Sequence, residues 1–352
     1  MEVKAKFASL LLKWNKEKND RQMPWKGEKD PYKIWLSEII LQQTRVEQGL
    51  SYYNAFIKTF PDVHKLATAP DAKVFKLWEG LGYYTRCRNL LATARYISKE
   101  QKGKFPDSYE EVLNLKGVGP YTAAAISSFA FNLPHAVVDG NVFRVLARVF
   151  GIATPTDTTE GKKKFTALAA ELLDKKQPGL YNQAIMDFGA TVCKPSAPLC
   201  SDCIFKKHCV AFNKDMIAAL PVKEKKITIK QRWFYYIIME YKNEVAIVQR
   251  TGKDIWKDLF EFPLIEAKKE MSEKNIIKQL NLKEWLVPTD YTVISISPLF
   301  KQQLSHQLIT GKFITIKLKR KVKLQPDWQW VTKGKLKSFA FPQFINQYLK
   351  AK

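Results

Sequence analysis

Two carboxylates and four cysteines carry the chemistry legible in this chain of 352 residues. Glu38 lies within Ile34-Trp35-Leu36-Ser37-Glu38-Ile39-Ile40-Leu41, and its neighbours at helical spacing are Ile34, Trp35, Leu41 and Gln42. An ionised glutamate buried among such side chains is costly, and desolvation raises its pKa. A carboxyl that holds its proton near neutral pH is a good general acid. A glutamate pointing to solvent is the alternative; the mostly apolar neighbours favour burial. Asp139 stands just before Gly140-Asn141-Val142-Phe143-Arg144, where a helix begins. There it reads as an N-cap, and the helix dipole and free N–H groups keep it ionised. One neutral and one charged carboxyl form the pair that breaks a glycosidic bond through an oxocarbenium-like state. The neutral group protonates the leaving group, and the charged one stabilises the cationic sugar.

Cys193-x6-Cys200-x2-Cys203-x5-Cys209 gathers four of the five cysteines into one short loop, leaving Cys87 solitary. The pattern indicates a metal site in a reducing compartment rather than disulfides. Zinc and an iron–sulfur cluster both accept four cysteines, and the absence of paired Cys-x2-Cys knuckles favours iron–sulfur. Lys194, Lys206, Lys207 and His208 place positive charge around the loop, ready for phosphates. The whole chain carries a formal net charge of +24, which points to a polyanionic partner, most often nucleic acid.

These groups need a scaffold to bring them together. Leu115-Lys116-Gly117-Val118-Gly119-Pro120-Tyr121-Thr122 reads as a helix, a tight Gly-x-Gly hairpin and a second helix. Gly117 and Gly119 permit positive φ and close approach, and the N–H groups opening onto the second helix suit a phosphate; a plain helix–turn–helix corner is the alternative. Residues 5–212 read as helical: Lys6–Trp14, a long helix from Asp30-Pro31 through Gln48, then Ala72–Trp78, Thr85–Lys99, Ser108–Leu115, Tyr121–Phe129, Asn141–Phe150, Thr159–Leu173 and Leu180–Ala190. Residues 213–230, lysine-rich and with one proline, read as a linker. Beyond them come strands at Trp233–Tyr241, Glu244–Gln249, Tyr291–Ile296 and Phe313–Lys319, with helices at Glu270–Leu280 and Pro342–Leu349. In Phe313–Lys319 the apolar residues alternate with polar ones, which predicts a half-buried strand. The expected architecture is a mainly α domain (1–212) followed by an α+β domain (231–352). No run of ~18 apolar residues is present to span a bilayer, and Met1–Lys6 precede an amphipathic helix rather than a signal core, so the expected location is cytoplasmic.

Gly117-Val118-Gly119, Asp139 and the cysteine loop resemble the helix-hairpin-helix DNA glycosylases of the endonuclease III superfamily. Within it, Pro24-Trp25, Trp35–Thr44, Gly80-Leu81-Gly82-Tyr83-Tyr84 and Val138–Val142 resemble the MutY-type adenine DNA glycosylases. The resemblance covers nearly all of the first domain and recurs more loosely in the second. It implies removal of adenine mispaired with 8-oxoguanine or guanine in double-stranded DNA, by a monomer that flips the adenine out of the duplex. By motif position Glu38 is implied to protonate adenine N7 and Asp139 to stabilise the sugar cation, with Tyr121 and Asn141 supporting Asp139. Gln43 and Tyr83 match residues that wedge in beside the 8-oxoguanine. Trp25, Lys26 and Thr44 join the implied DNA-contacting set, Lys26 standing where many members have arginine. The four cysteines are implied to hold a [4Fe-4S] cluster. Tyr121 occupies the position of the lysine nucleophile of bifunctional relatives, and a phenol forms no Schiff base. A monofunctional enzyme that uses water and leaves an abasic site is therefore implied.

The second domain resembles the family's Nudix-like recognition domain through Trp256-Lys257-Asp258-Leu259-Phe260-Glu261-Phe262-Pro263, without the Arg-Glu-x2-Glu-Glu-type carboxylates of a phosphohydrolase. Leu304-Ser305-His306 stands where the family has the Phe-Ser-His loop that detects 8-oxoguanine, and Ser305 and His306 supply polar contacts. Two rival readings are an endonuclease III-like glycosylase/lyase for oxidised pyrimidines and a non-catalytic Fe–S DNA-binding protein.

Overall fold

A computed structural model describes residues 2–224 and 228–351. They divide into two compact units, one of Met1–Thr68 with Arg88–Lys226 and one of Ala69–Cys87 with Ile227–Lys352. In chain order the helices are α1 (Glu2–Lys18), α2 (Pro31–Leu41), α3 (Val46–Thr59), α4 (Val63–Ala67), α5 (Asp71–Trp78), α6 (Thr85–Glu100), α7 (Tyr109–Leu113), α8 (Pro120–Phe131), α9 (Gly140–Phe150), α10 (Thr159–Leu172), α11 (Pro178–Thr191) and α12 (Val210–Asn213). Then follow β1 (Lys230–Tyr241), β2 (Glu244–Gln249), β3 (Phe260–Glu261), β4 (Leu264–Ala267), α13 (Glu273–Asn281), β5 (Tyr291–Ile296), β6 (Phe300–Gln303), β7 (Gln307–Leu318), β8 (Trp328–Thr332) and α14 (Gln343–Ala351).

Local signals start the helices that matter. Asp30 caps α2 by accepting the Tyr32 N–H, with Pro31 in the first turn, and Pro120 opens α8 behind Gly119. The long helix expected through Gln48 is instead two helices. Gln42 leaves helical geometry (ψ 115°), Gln43 turns to φ 56°, and α3 begins after Arg45. Packing overrides the continuous helical text, because Gly49 of α3 sits so tightly against Leu41 of α2 that a Cβ there would meet it at 2.7 Å. Around these helices the first unit's core joins distant segments, with Phe7, Leu11 and Trp14 of α1 packed with Val145, Leu146 and Phe188. Trp14 meets Phe188 edge-on at 5.0 Å. Of the stretch read as a linker, Leu220 is buried, and the Val222 carbonyl accepts the Thr156 N–H at 3.0 Å, so this part packs on the first unit. Residues 225–227 lie outside the described ones.

The second unit is a mixed sheet in the order β3-β2-β1-β7-β5, with β4 on β1, β6 on β7 and β8 on β2. β1 and β7 run parallel over Lys230–Glu240 and Gln307–Lys317, and the remaining pairs are antiparallel. The expected half-buried strand is in fact buried on both faces over most of its length. Ile314 and Ile316 pack with Ile276 and Leu280 of α13. Phe313 stacks on Tyr348 of α14 at 4.1 Å, and Thr315 bonds the Tyr348 hydroxyl at 3.3 Å. A central strand covered by helices on both sides has no solvent face, so its threonine is satisfied internally. Among the described residues no helix is long and apolar enough to cross a membrane.

Gly311 pairs with Phe234 on one side and Phe300 on the other, and an added Cβ would collide with the Phe234 carbonyl. Gly311→Ala is therefore expected to destabilise the second unit by about 2–3 kcal/mol, the scale of overpacking. A lower urea midpoint for that unit's transition measures it.

Candidate active site

α2, α8 and α9 each bring one acidic or phenolic group to a common cavity of about 910 Å³. Glu38 comes from α2, Tyr121 from the first turn of α8, and Asp139 from the residue that caps α9. Asn141 completes the inner wall, and the predicted Trp25, Lys26, Gln43 and Thr44 also line the cavity. The volume falls in the ~300–1,000 Å³ range of small-ligand pockets. Gln42 Nε2 bonds Thr122 Oγ1 at 3.2 Å, fixing the end of α2 to α8.

Glu38 is 7% exposed. Burial pushes its carboxyl up to about 7, and the charge of Asp139 adds to the rise, while the nearby Tyr121 hydroxyl, which donates to Met186 Sδ at 3.5 Å, opposes both. Burial likewise raises the Tyr121 phenol, which therefore stays protonated and able to donate. Asp139 is the expected N-cap: Oδ1 accepts the Val142 N–H at 2.8 Å, and Oδ2 accepts from Asn141 Nδ2 at 2.7 Å. Burial raises its pKa as well, so placement at a helix start does not by itself hold it low; the N–H donors and the Arg144 charge pull the other way. With both oxygens accepting N–H bonds, Asp139 is arranged as a carboxylate, and Glu38 is the better place for a shared proton.

Arg144 was not foreseen. Its Nη2 donates to Asn141 Oδ1 at 2.8 Å and to the Gly189 carbonyl at 2.7 Å, and its Nε donates to the Cys193 carbonyl at 2.7 Å. Held from one side, Asn141 can only turn its NH₂ toward Asp139. The available signal was a pair of arginines, Arg144 and Arg148, one turn apart in a mostly apolar helix. Asp187 was also missed. It is fully buried and takes bonds from Asn19, Arg21 and Gln183, with the Lys26 ammonium at 3.3 Å. Lys26 thus lines the cavity with its charge already shared. Trp25 packs edge-on against Tyr53 at 5.3 Å.

Gln43 is exposed and left-handed, a conformation that a non-glycine residue keeps only where its surroundings impose it. The two hairpin glycines differ. Gly117 has φ 83°, and a Cβ on it would meet Asn89 at 2.6 Å, whereas Gly119 is extended (φ −104°) with open space where a Cβ would sit. Positive φ is needed at the first alone, and neither glycine lines the cavity. In the second unit Tyr83 is left-handed and 43% exposed, and its hydroxyl is hydrogen-bonded to Ser305 Oγ. His306 is exposed beside it, and Leu304 is half-buried in the β6–β7 turn.

The cysteine loop follows α11. Arg148 Nη1 lies 3.6 Å from Cys193 Sγ, and its guanidinium also donates to the Lys194 and Pro195 carbonyls at 2.7 and 3.0 Å. Burial pushes Cys193 and Cys209 up and Cys203 up to about 11, and the other cysteines' charges raise each of them further. The four sulfurs therefore lie close enough to feel one another's charge. Among the described residues no three His, Cys, Asp or Glu side chains are placed to ligate a single ion.

A helical unit with a glycine hairpin and two carboxylates in one cavity, followed by a mixed-sheet unit, defines a class of base-excision glycosylase. The HhH-GPD superfamily base excision DNA repair protein profile matches residues 36–173, and a NUDIX domain profile matches 234–351. The solved structure of a thermostable thymine-DNA glycosylase aligns with TM-score 0.56 and 29% identity over 60% of this chain and 98% of its own. A non-covalent endonuclease III–DNA complex aligns with TM-score 0.53 over 61% of this chain and 99% of its own; at 20% identity it speaks for the fold alone. The adenine DNA glycosylase of Buchnera aphidicola subsp. Baizongia pistaciae is 36% identical over 303 residues, 85% of this chain and 83% of its own. The chain belongs to the adenine DNA glycosylase family.

A raised Glu38 also bears on stability. The folded state binds more protons than the unfolded one between the ordinary value of 4.5 and about 7, so stability falls as pH rises through that window. Glu38→Gln removes the cost, and at pH 8 the variant is expected to be more stable than the parent by about 2–3 kcal/mol, with the gap closing near pH 4. Urea melts at the two pH values measure it.

Proposed function

We propose that this chain hydrolyses the N-glycosidic bond of adenine opposite 8-oxoguanine or guanine in duplex DNA, as a monofunctional enzyme acting as a monomer. The observation that carries the proposal is the proton-holding Glu38 lining the same cavity as the N–H-bonded carboxylate of Asp139. Adenine extruded from the stack enters this cavity. Glu38 gives its proton to N7, so the base leaves with the bonding electron pair as a neutral purine. The sugar cation that forms is stabilised by Asp139, whose position Asn141 and Arg144 hold. Water adds to the sugar carbon and gives its proton to the Glu38 carboxylate, which restores the acid and leaves an abasic site. Tyr121, expected to support Asp139, is not among the hydrogen-bond donors to that carboxylate, and its phenol offers no amine for a Schiff base.

The net charge of +24 supports duplex DNA as the partner. Exposed, left-handed Gln43 at the cavity suits insertion into the gap left by the flipped base. Tyr83, Ser305 and His306 suit contact with the opposing 8-oxoguanine. For the four cysteines the chemistry of the donor set favours a [4Fe-4S] cluster, held by Cys193, Cys200, Cys203 and Cys209. Four cysteines within one short loop are the donor set that such a cluster takes. Bound there, its irons would neutralise part of the thiolate charge and fix the loop that carries Lys206 and Lys207, and no proton transfer depends on it.

Single-turnover assays on 8-oxoguanine:A, G:A and thymine glycol:A duplexes test the reading. Adenine release from the first two, none of the third base, and no borohydride-trapped adduct are expected; an efficient adduct would instead establish a lyase. Glu38→Gln is expected to slow release by roughly 10²–10⁴-fold. For the parent enzyme the rate falls as pH rises through about 7, because the acid must enter the reaction protonated. Iron analysis of the purified chain is expected to return about four irons per molecule.

A further inference from the structure

Residues 69–87 fold with the second unit, and they end in the loop that carries Tyr83. Two charges near the end of α5 grip one short segment of that unit. The Glu79 carboxylate accepts the Phe341 N–H at 2.7 Å, and Lys76 Nζ donates to the Phe339 carbonyl at 2.9 Å. The two side chains also pair with each other at 2.6 Å, and Glu79 is only 17% exposed. The gripped segment is itself anchored to the sheet. The Ala340 carbonyl accepts the Phe260 N–H at 2.9 Å, and Phe341 stacks on Phe262 at 5.8 Å.

Past Glu79 the chain reverses through Gly80 (φ 93°), Gly82 (φ 77°) and Tyr83 (φ 48°). The reversal is stapled from within. Trp78 Nε1 donates to the Gly82 carbonyl at 2.9 Å, and the Arg86 guanidinium lies 5.2 Å from the Trp78 ring and 5.5 Å from the Tyr83 ring. At its far side the loop touches the unit again, where the Tyr83 hydroxyl meets Ser305. Leu81 and Tyr84 of the loop are buried too, Tyr84 stacking on Phe75, and the Glu79 contact adds a fixed point where the loop begins.

We infer that Lys76 and Glu79 are positioning residues for discrimination on the lesion side: their clip onto residues 339–341 sets the Tyr83 ring against Ser305, so that the two meet an opposing 8-oxoguanine as one rigid element. The inference rests on the proposed reading of Tyr83 and Ser305. Each charge is matched to its target, the carboxylate to a backbone donor and the ammonium to a backbone acceptor, and charge-assisted bonds of this kind are the stronger ones. A left-handed tyrosine persists only where its surroundings over-determine it, and the clip is one of those determinants.

The test uses the full chain with Glu79→Ala and Lys76→Met, and with Glu79→Gln as the conservative variant whose amide oxygen still accepts the Phe341 N–H. Amide hydrogen exchange over residues 80–86 reports loop order. Binding to duplexes with 8-oxoguanine or guanine opposite non-cleavable 2′-fluoroadenosine reports discrimination. Glu79→Ala and Lys76→Met are expected to speed exchange over 80–86 and to cut the 8-oxoguanine preference roughly tenfold, the scale of losing one charge-assisted hydrogen bond. Affinity for the guanine duplex and exchange in α14 stay as in the parent, and Glu79→Gln recovers most of the preference. Unchanged exchange, or faster exchange with unchanged preference, overturns the inference. Adenine release by the parent is scored separately, so failure of the glycosylase reading is told apart from failure of the clip.

Discussion

Desolvation of a single carboxyl is the constraint on which the rest of this molecule turns. Glu38 sits on a helix whose residues are buried almost without interruption from Ile34 to Ile40, so its charged form has no water to fall back on. Such a group is a stability cost that core packing must offset elsewhere. The first unit supplies that packing by uniting α1 with α9 and α11 around large aromatic side chains. An active site that stores a proton near neutrality can exist only inside a core good enough to tolerate it.

The second carboxyl is controlled by different means. Asp139 is buried too, but it receives a helix N-terminus and an asparagine amide, and the asparagine is in turn oriented by Arg144. The residue that caps α9 is also the one proposed to stabilise the sugar cation, and the two roles do not compete. N–H groups that satisfy the helix end also favour the ionised form that the chemistry requires. Burial raises both acids in the cavity, and Asp139 differs in the N–H donors and the Arg144 charge that pull its pKa back.

Much of this was readable along the chain. An acid in an apolar helix, an aspartate at a helix start, a glycine hairpin and four spaced cysteines each announce themselves locally, and caps and prolines place most helix starts within a few residues. The break at Gln42–Gln43 was not readable, because the text runs on as good helix, and the close packing of α3 on α2 at Gly49 and Leu41 is visible only in the fold. Likewise Thr315, Lys317 and Lys319 write a solvent-facing pattern, yet Thr315 is buried because helices cover both sides of the sheet. Arg144 and Asp187 went unnoticed because the bonds that bury them reach across the chain, to Gly189 and Cys193 for the first and to Asn19 and Arg21 for the second.

By itself the sequence determined which side chains are available for acid chemistry and for thiolate ligation, and the helical character of the scaffold, since these depend on residue type and on spacings of a few positions. Only tertiary structure decided that Glu38, Tyr121 and Asp139 line one cavity, that Asp139 is buried as well as capped, and that residues 69–87 fold with the sheet unit rather than with the helices flanking them. The physical reason is range. Helix periods and caps are set by neighbours within a turn or two, whereas burial, and with it the protonation state of a carboxyl, is set by whatever the rest of the chain packs around it.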